Sequence, residues 1–141
     1  MNRSVPFTHV LLGYAYTEMG RYAEAISAFE DARRLGDDSP SSKIFLGMAY
    51  ARAGDRKSAR TILNQLQDGK TYVSPGELAV LYVALGEREQ AFAALERGFA
   101  ARDVQLQYLA VDPAFDSLRD DPRFTDLVRR VGLPVISYRP R

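Results

Sequence analysis

The side chains of this 141-residue chain that could do chemistry are few and poorly grouped. His9 is the single histidine, and cysteine is absent. A zinc site or an imidazole acid–base pair needs convergent partners, so His9 reads as an ordinary helix residue, and disulfides and thiolate ligands are excluded. Asp112, Asp116, Asp120 and Asp121 form the densest titratable group, of a kind that attracts a divalent cation. The group lacks the alternating ligands and central glycine of a calcium loop. Two of its members, Asp112 and Asp121, precede prolines and read as helix caps instead. Ser4, Ser39 and Ser74 each stand ahead of a helical pattern, so they read as caps or near-caps, not nucleophiles. No nucleophile elbow, phosphate-binding loop or dinucleotide fingerprint occurs. Arg129, Arg130, Arg139 and Arg141 make the end mildly basic with only Tyr138 nearby. That suits a solvated face and the negative end of a helix dipole better than a nucleic-acid surface. The expectation is a protein that is not an enzyme and needs no metal or cofactor.

What the chain does carry is a repeated pattern. Leu12, Gly13, Tyr16, Gly20, Ala25, Phe29 and Ala32 return as Leu46, Gly47, Tyr50, Gly54, Ala59, Leu63 and Leu66. They return again as Leu78, Ala79, Tyr82, Gly86, Ala91, Leu95 and Gly98. The first interval is 34 residues and the second 32, a shortening best placed in the loop around Gln67–Thr71. Hydrophobic residues at 46 % and charged ones at 26 % allow one ordinary core, and a net charge of +1 calls for neither nucleic acid nor a membrane surface. No apolar run approaches the roughly 20 residues of a membrane span, and the opening residues make a poor signal peptide. A cytoplasmic setting is therefore expected.

Each repeat reads as two helices meeting at a glycine. The first helix is expected from near Pro6 to Met19 and its partner from about Tyr22 to Leu35. Ser39-Pro40 opens the next helix, which runs to Ala53, followed by Asp55–Gln67. The capping box at Ser74 and Glu77 opens a third pair, about Pro75–Leu85 and Glu87–Ala101. Mid-helix Gly13 and Gly47 cost roughly 1 kcal/mol against alanine. Facing alanines, Ala25 and Ala59, suggest a small-against-small contact that lets Leu12, Tyr16 and Phe29 interdigitate. After Ala101 the period stops. Asp112-Pro113 and Asp121-Pro122 each start a helix, ending near Leu118 and Val131. Phe115, Leu118, Phe124, Leu127, Val128 and Val131 then give an apolar face to cover the last repeat, as a stacked array requires. The final residues, from Ile136 on, read as a frayed end.

These residues resemble the tetratricopeptide repeat family over roughly Pro6 to Asp103. His9, Lys43 and Pro75 stand where that family often has tryptophan. The resemblance implies an all-α fold, a right-handed superhelical solenoid of three helix–turn–helix units plus C-terminal capping helices. Residues 1–141 are then one domain, with repeats at about 6–39, 40–71 and 72–105, capping helices at about 106–132 and a tail at 133–141. It further implies a concave groove that binds a protein or peptide partner. Carried over by position, the groove is lined by Phe7, Val10, Tyr14, Thr17 and Glu18, then Ile44, Phe45, Met48, Ala51 and Arg52, then Val73, Gly76, Val80 and Val83. The carboxylate clamp of the chaperone-tail members is missing, since Val10, Tyr14, Phe45, Val73 and Glu77 hold those places. The groove is apolar and suits an amphipathic helix or an extended apolar peptide, or else packs on the tail or in a homodimer. The tail, through Val111-Asp112-Pro113 and Asp121-Pro122-Arg123-Phe124, resembles the C-terminal end of bacterial multidomain regulators. In those a repeat array follows a winged-helix, nucleotide-cyclase or kinase head. A regulatory or self-associating end of such a protein is the alternative expectation.

Overall fold

A serine or aspartate followed by proline sets the start of three α-helices and one 3₁₀ segment, at Ser39, Ser74, Asp121 and Asp112. The computed structural model describes residues 4–133. They form α1 (Ser4–Glu18), α2 (Tyr22–Arg34), α3 (Pro40–Arg52), α4 (Arg56–Leu66), α5 (Pro75–Ala84) and α6 (Arg88–Ala100). Two 3₁₀ segments, Val104–Tyr108 and Pro113–Leu118, and α7 (Pro122–Val131) follow. No strand occurs among the described residues, so the fold is all-α. The Ser39, Asp55 and Ser74 side chains accept from the amides of Ser42, Ser58 and Glu77 at 3.3, 3.1 and 3.3 Å. Each such cap stabilises its helix by about 1 kcal/mol. α1 is already helical at Ser4, two residues ahead of the expected start. Pro6 permits this because first-turn amides have no partner within the helix.

One C-terminal device recurs. At the end of α1, Arg21 N donates to Tyr16 O at 2.9 Å and Gly20 N to Thr17 O at 3.1 Å, with Gly20 at φ +76°. Gly54 and Gly86 repeat that pair of bonds. The left-handed residue satisfies two terminal carbonyls and turns the chain into the next helix. α6 ends in the same bonds, Asp103 N to Gly98 O at 2.8 Å and Arg102 N to Phe99 O at 3.1 Å. There the left-handed position is held by Arg102, at φ +55°, instead of glycine. An L-residue in that conformation costs about 1 kcal/mol.

The chain divides into two compact units, Met1–Val73 and Ser74–Arg141. In the first, α1 packs on α2, α2 on α3 and α3 on α4, while α1 also meets α3. Ala25, Phe29 and Ala32 are wholly buried. The atoms nearest to a side chain at Gly13 belong to Phe29. A Cβ there would lie 2.8 Å from two carbons of the Phe29 ring, so the glycine seats an aromatic face. Leu12 departs from expectation, being 42 % exposed where its repeat equivalent Leu46 is 2 % exposed. α3 has α2 ahead of it as well as α4 behind; among the described residues α1 has no helix ahead of it.

In the second unit α5 packs on α6, and the C-terminal segments close over both. The Asp103 carboxylate ties them together. One oxygen accepts from Ser74 Oγ at 2.6 Å and Gly76 N at 2.8 Å, the other from Gln105 N at 3.0 Å. A Cβ on Gly76 would come within 3.1 Å of Asp103 and Gln105, so the glycine admits this contact. A 3₁₀ segment at Val104–Tyr108 follows α6, and the helix expected from Asp112 to Leu118 is a 3₁₀ segment. Phe115, Leu118, Phe124, Leu127 and Val128 are buried as the apolar pattern requires, and the Phe115 and Phe124 rings lie 6.1 Å apart. Spacing persists where residue types change: α7 starts 34 residues after α6. Glu89 meets Arg123 and Glu96 meets Arg130 across that same interval. Arg123 lies over the Phe92 ring at 4.2 Å and Arg130 over Phe99 at 5.0 Å.

Candidate interaction face

α1 is apolar all round, a pattern that belongs to a helix with partners on every side. Its inner side carries Gly13 and Thr17 against the rest of the first unit. Its outer side leaves Val5, Phe7, Leu11, Leu12 and Tyr14 exposed, Phe7 at 61 %, and Met19 just past its end is 62 % exposed. Toward α3 this surface ends in the Tyr14 and Phe45 rings, which meet edge to face at 5.4 Å. One turn further, Arg52 of α3 reaches Glu18 of α1 at 3.2 Å. The pair is surface-exposed and worth no more than about 1 kcal/mol. It gives the face a polar end, opposite the apolar end at Phe7.

The residues expected to line a groove therefore separate. Phe7, Tyr14 and Glu18 are exposed, and Val10, Phe45 and Arg52 are partly so. The structure brings Tyr14 to Phe45 and Glu18 to Arg52. Thr17, Ile44 and Met48 are 1–2 % exposed and present nothing to an incoming chain. The Thr17 hydroxyl is spent on Gly13 O at 2.8 Å within its own helix. In the second unit Val80 is 8 % exposed and Val83 partly exposed, while Gly76 lies under Asp103 and Gln105. Leu11, Leu12, Val5 and Met19 were not expected on the surface. The signal that could have found them is the absence of a polar face on the first helix.

Of the four clustered aspartates, Asp112, Asp116 and Asp121 sit in structural roles. Asp112 caps the second 3₁₀ segment through Ala114 N at 2.9 Å, and Asp121 caps α7 through Arg123 N at 2.9 Å. Asp116 pairs with Arg119 at 2.8 Å. Among the described residues no cluster of three or more histidine, aspartate or glutamate side chains is placed to hold a metal. His9 is half-buried, its Nδ1 without a hydrogen-bond partner among the described residues. The Ser4 side chain, Arg139 and Arg141 lie outside what is described. No helix among the described residues is long and apolar enough to cross a membrane.

Residues 16–70 match the family model described as Tetratricopeptide repeat. The match begins in α1 and runs past the end of α4, so it spans the two helical pairs of the first unit. No curated protein and no solved structure matches the chain significantly. Repeats of this family generally mediate protein–protein interaction and are typically non-catalytic.

Proposed function

We propose that the chain is a non-enzymatic interaction module that holds an amphipathic helix or extended apolar peptide against the shared face of α1 and α3. The observation that carries this is the run of exposed apolar side chains, Phe7 and Leu11, leading into the Tyr14–Phe45 pair and closed by Glu18–Arg52. An apolar strip with one polar end orients a ligand as well as attracting it. The third pair's Val80 and Val83 are not needed for it.

Peptides selected from a displayed library of amphipathic helices, then measured by fluorescence anisotropy, test the reading. Phe7→Asp and Tyr14→Asp are expected to weaken them at least about tenfold, with helical circular dichroism unchanged. Equal binding by wild type and both variants would place the ligand elsewhere.

A second reading rests on a different side of α1. Val5, Leu12 and Met19 are seven residues apart and all exposed, a row suited to packing on another helix. It supports self-association, or contact with another part of a larger regulator. Sedimentation of Leu12→Glu against wild type tests it: a wild type that stays monomeric over a wide concentration range removes self-association.

A further inference from the structure

Within the second unit, a cavity of about 420 Å³ opens between the end of α6, the Val104–Tyr108 segment and the end of α7. Phe99, Leu106, Val131 and Leu133 supply apolar walls, and Arg102 and Arg130 stand in its lining. The two arginines differ. Arg130 is already committed to Glu96 and to Asp126, the latter at 2.8 Å. The Asp103 carboxylate, also in the lining, is turned to Ser74, Gly76 and Gln105. The Arg102 side chain has no hydrogen bond or ion pair among the described residues. Asp103 keeps its charge among these neutral donors, and Arg102 is the lining cation without an ion-pair partner among the described residues.

Arg102 also occupies a backbone position that favours glycine. It is the one non-glycine residue with positive φ among the described residues, in a motif that uses Gly20, Gly54 and Gly86 elsewhere. Backbone strain of this kind is retained where a side chain has a task. We propose that the cavity binds a small apolar carboxylate, its hydrocarbon or aryl part against Phe99, Leu106 and Val131 and its carboxylate on the Arg102 guanidinium. The volume falls in the range of small-ligand pockets, which are mostly apolar with few convergent polar groups. A guanidinium is the side chain best shaped to take a carboxylate through two parallel bonds. This site is separate from the α1–α3 face, and either can fail without the other.

Calorimetric titration of the full chain with octanoate, and with octanamide as the uncharged analogue, tests the proposal. The informative variant is Arg102→Gly, which relieves the backbone and so cannot lose binding by unfolding. Octanoate is expected to bind saturably to wild type and about tenfold or more weaker to Arg102→Gly, whose melting temperature is unchanged or raised. Octanamide is expected to bind wild type about as weakly as octanoate binds the variant. Absence of saturable octanoate binding to the full chain overturns the proposal. Equal affinities for wild type and Arg102→Gly, or for octanoate and octanamide, overturn it too.

Discussion

Glu89 and Arg123 stand one repeat interval apart and meet through two parallel hydrogen bonds of 2.8 and 3.0 Å. Seven residues on, Glu96 and Arg130 do the same. Two like pairs one heptad apart require α6 and α7 to lie side by side with matched faces, with Phe92 and Phe99 beneath the guanidinium groups. The final helix is therefore held as the second helix of a further repeat would be, although the residue pattern of the repeat has gone.

Those pairs make stability pH-dependent. The bonds from Arg123 hold the Glu89 carboxyl below its ordinary range, and those from Arg130 do so for Glu96. Asp121 is depressed further, chiefly by Arg123 and with help from Arg88. Carboxylates with lowered folded-state pKa values bind fewer protons when native than when unfolded. Their stabilisation is complete above the unfolded carboxylate range and is lost as pH falls below about 5. Urea midpoints measured between pH 7 and pH 3 should fall with pH, and less steeply in Arg123→Ala. High salt should shrink the difference, because these groups are exposed. Parallel profiles for the two proteins would show that the bonds contribute nothing.

Gly13 is predicted to be intolerant of a single methyl group. Alanine favours the helix by about 1 kcal/mol, yet its Cβ would lie 2.8 Å from the Phe29 ring. Phe29 is fully buried and has nowhere to retreat. Overpacking of this kind costs about 1–3 kcal/mol, so Gly13→Ala should lower the urea midpoint despite the propensity gain. Phe29→Leu should reverse the sign of the Gly13→Ala effect. A small-against-small contact with Ala25 would not give that reversal.

Much of this was legible in the sequence because each signal is local. Ser39, Ser74 and Asp121 announce helix starts through a side-chain oxygen and a following proline, and Gly20, Gly54 and Gly86 announce ends through a conformation other residues avoid. The interval between them sets the pairs. What stayed hidden depends on which neighbour is present. Leu12 and Leu46 are the same residue at the same repeat position, and only the presence of α2 ahead of α3 separates their burial. Position alone puts Thr17 and Met48 on an open face, but burial closes it to them. Arg102 in the place of a glycine gives no sign in the residue pattern, since its side chain is ordinary and its backbone is not.

Asp103 is predicted to carry more stability than an average surface carboxylate. It is the shared acceptor for Ser74 Oγ, Gly76 N and Gln105 N, which belong to the start of α5 and the Val104–Tyr108 segment. Asp103→Ala leaves three part-buried donors without that acceptor, at about 1–3 kcal/mol for each that water does not reach. Hydrogen exchange should quicken at Gly76 and Gln105 in the variant, with little change at Ala25 or Phe29 in the first unit. Asp103→Asn keeps an oxygen acceptor without the charge and should fall between wild type and alanine. Unchanged exchange at Gly76 in Asp103→Ala would mean that the carboxylate merely sits beside its neighbours.

Met48 and Tyr14 fall on the same expected groove but should respond oppositely to a charge. Tyr14 is 37 % exposed, so an aspartate there keeps its hydration, and Tyr14→Asp is expected to cost no more than about 1 kcal/mol in folding. Met48 is 2 % exposed. Met48→Glu must bury a carboxylate, or protonate it, at a cost of several kcal/mol. Thr17→Val keeps the buried shape and gives up only the bond to Gly13 O, whose carbonyl belongs to the helix already, so it should cost about 1 kcal/mol or less. Urea unfolding followed by circular dichroism separates the three. A Met48→Glu variant as stable as Tyr14→Asp would mean that the α3 face opens readily, and that Met48 is available to a ligand after all.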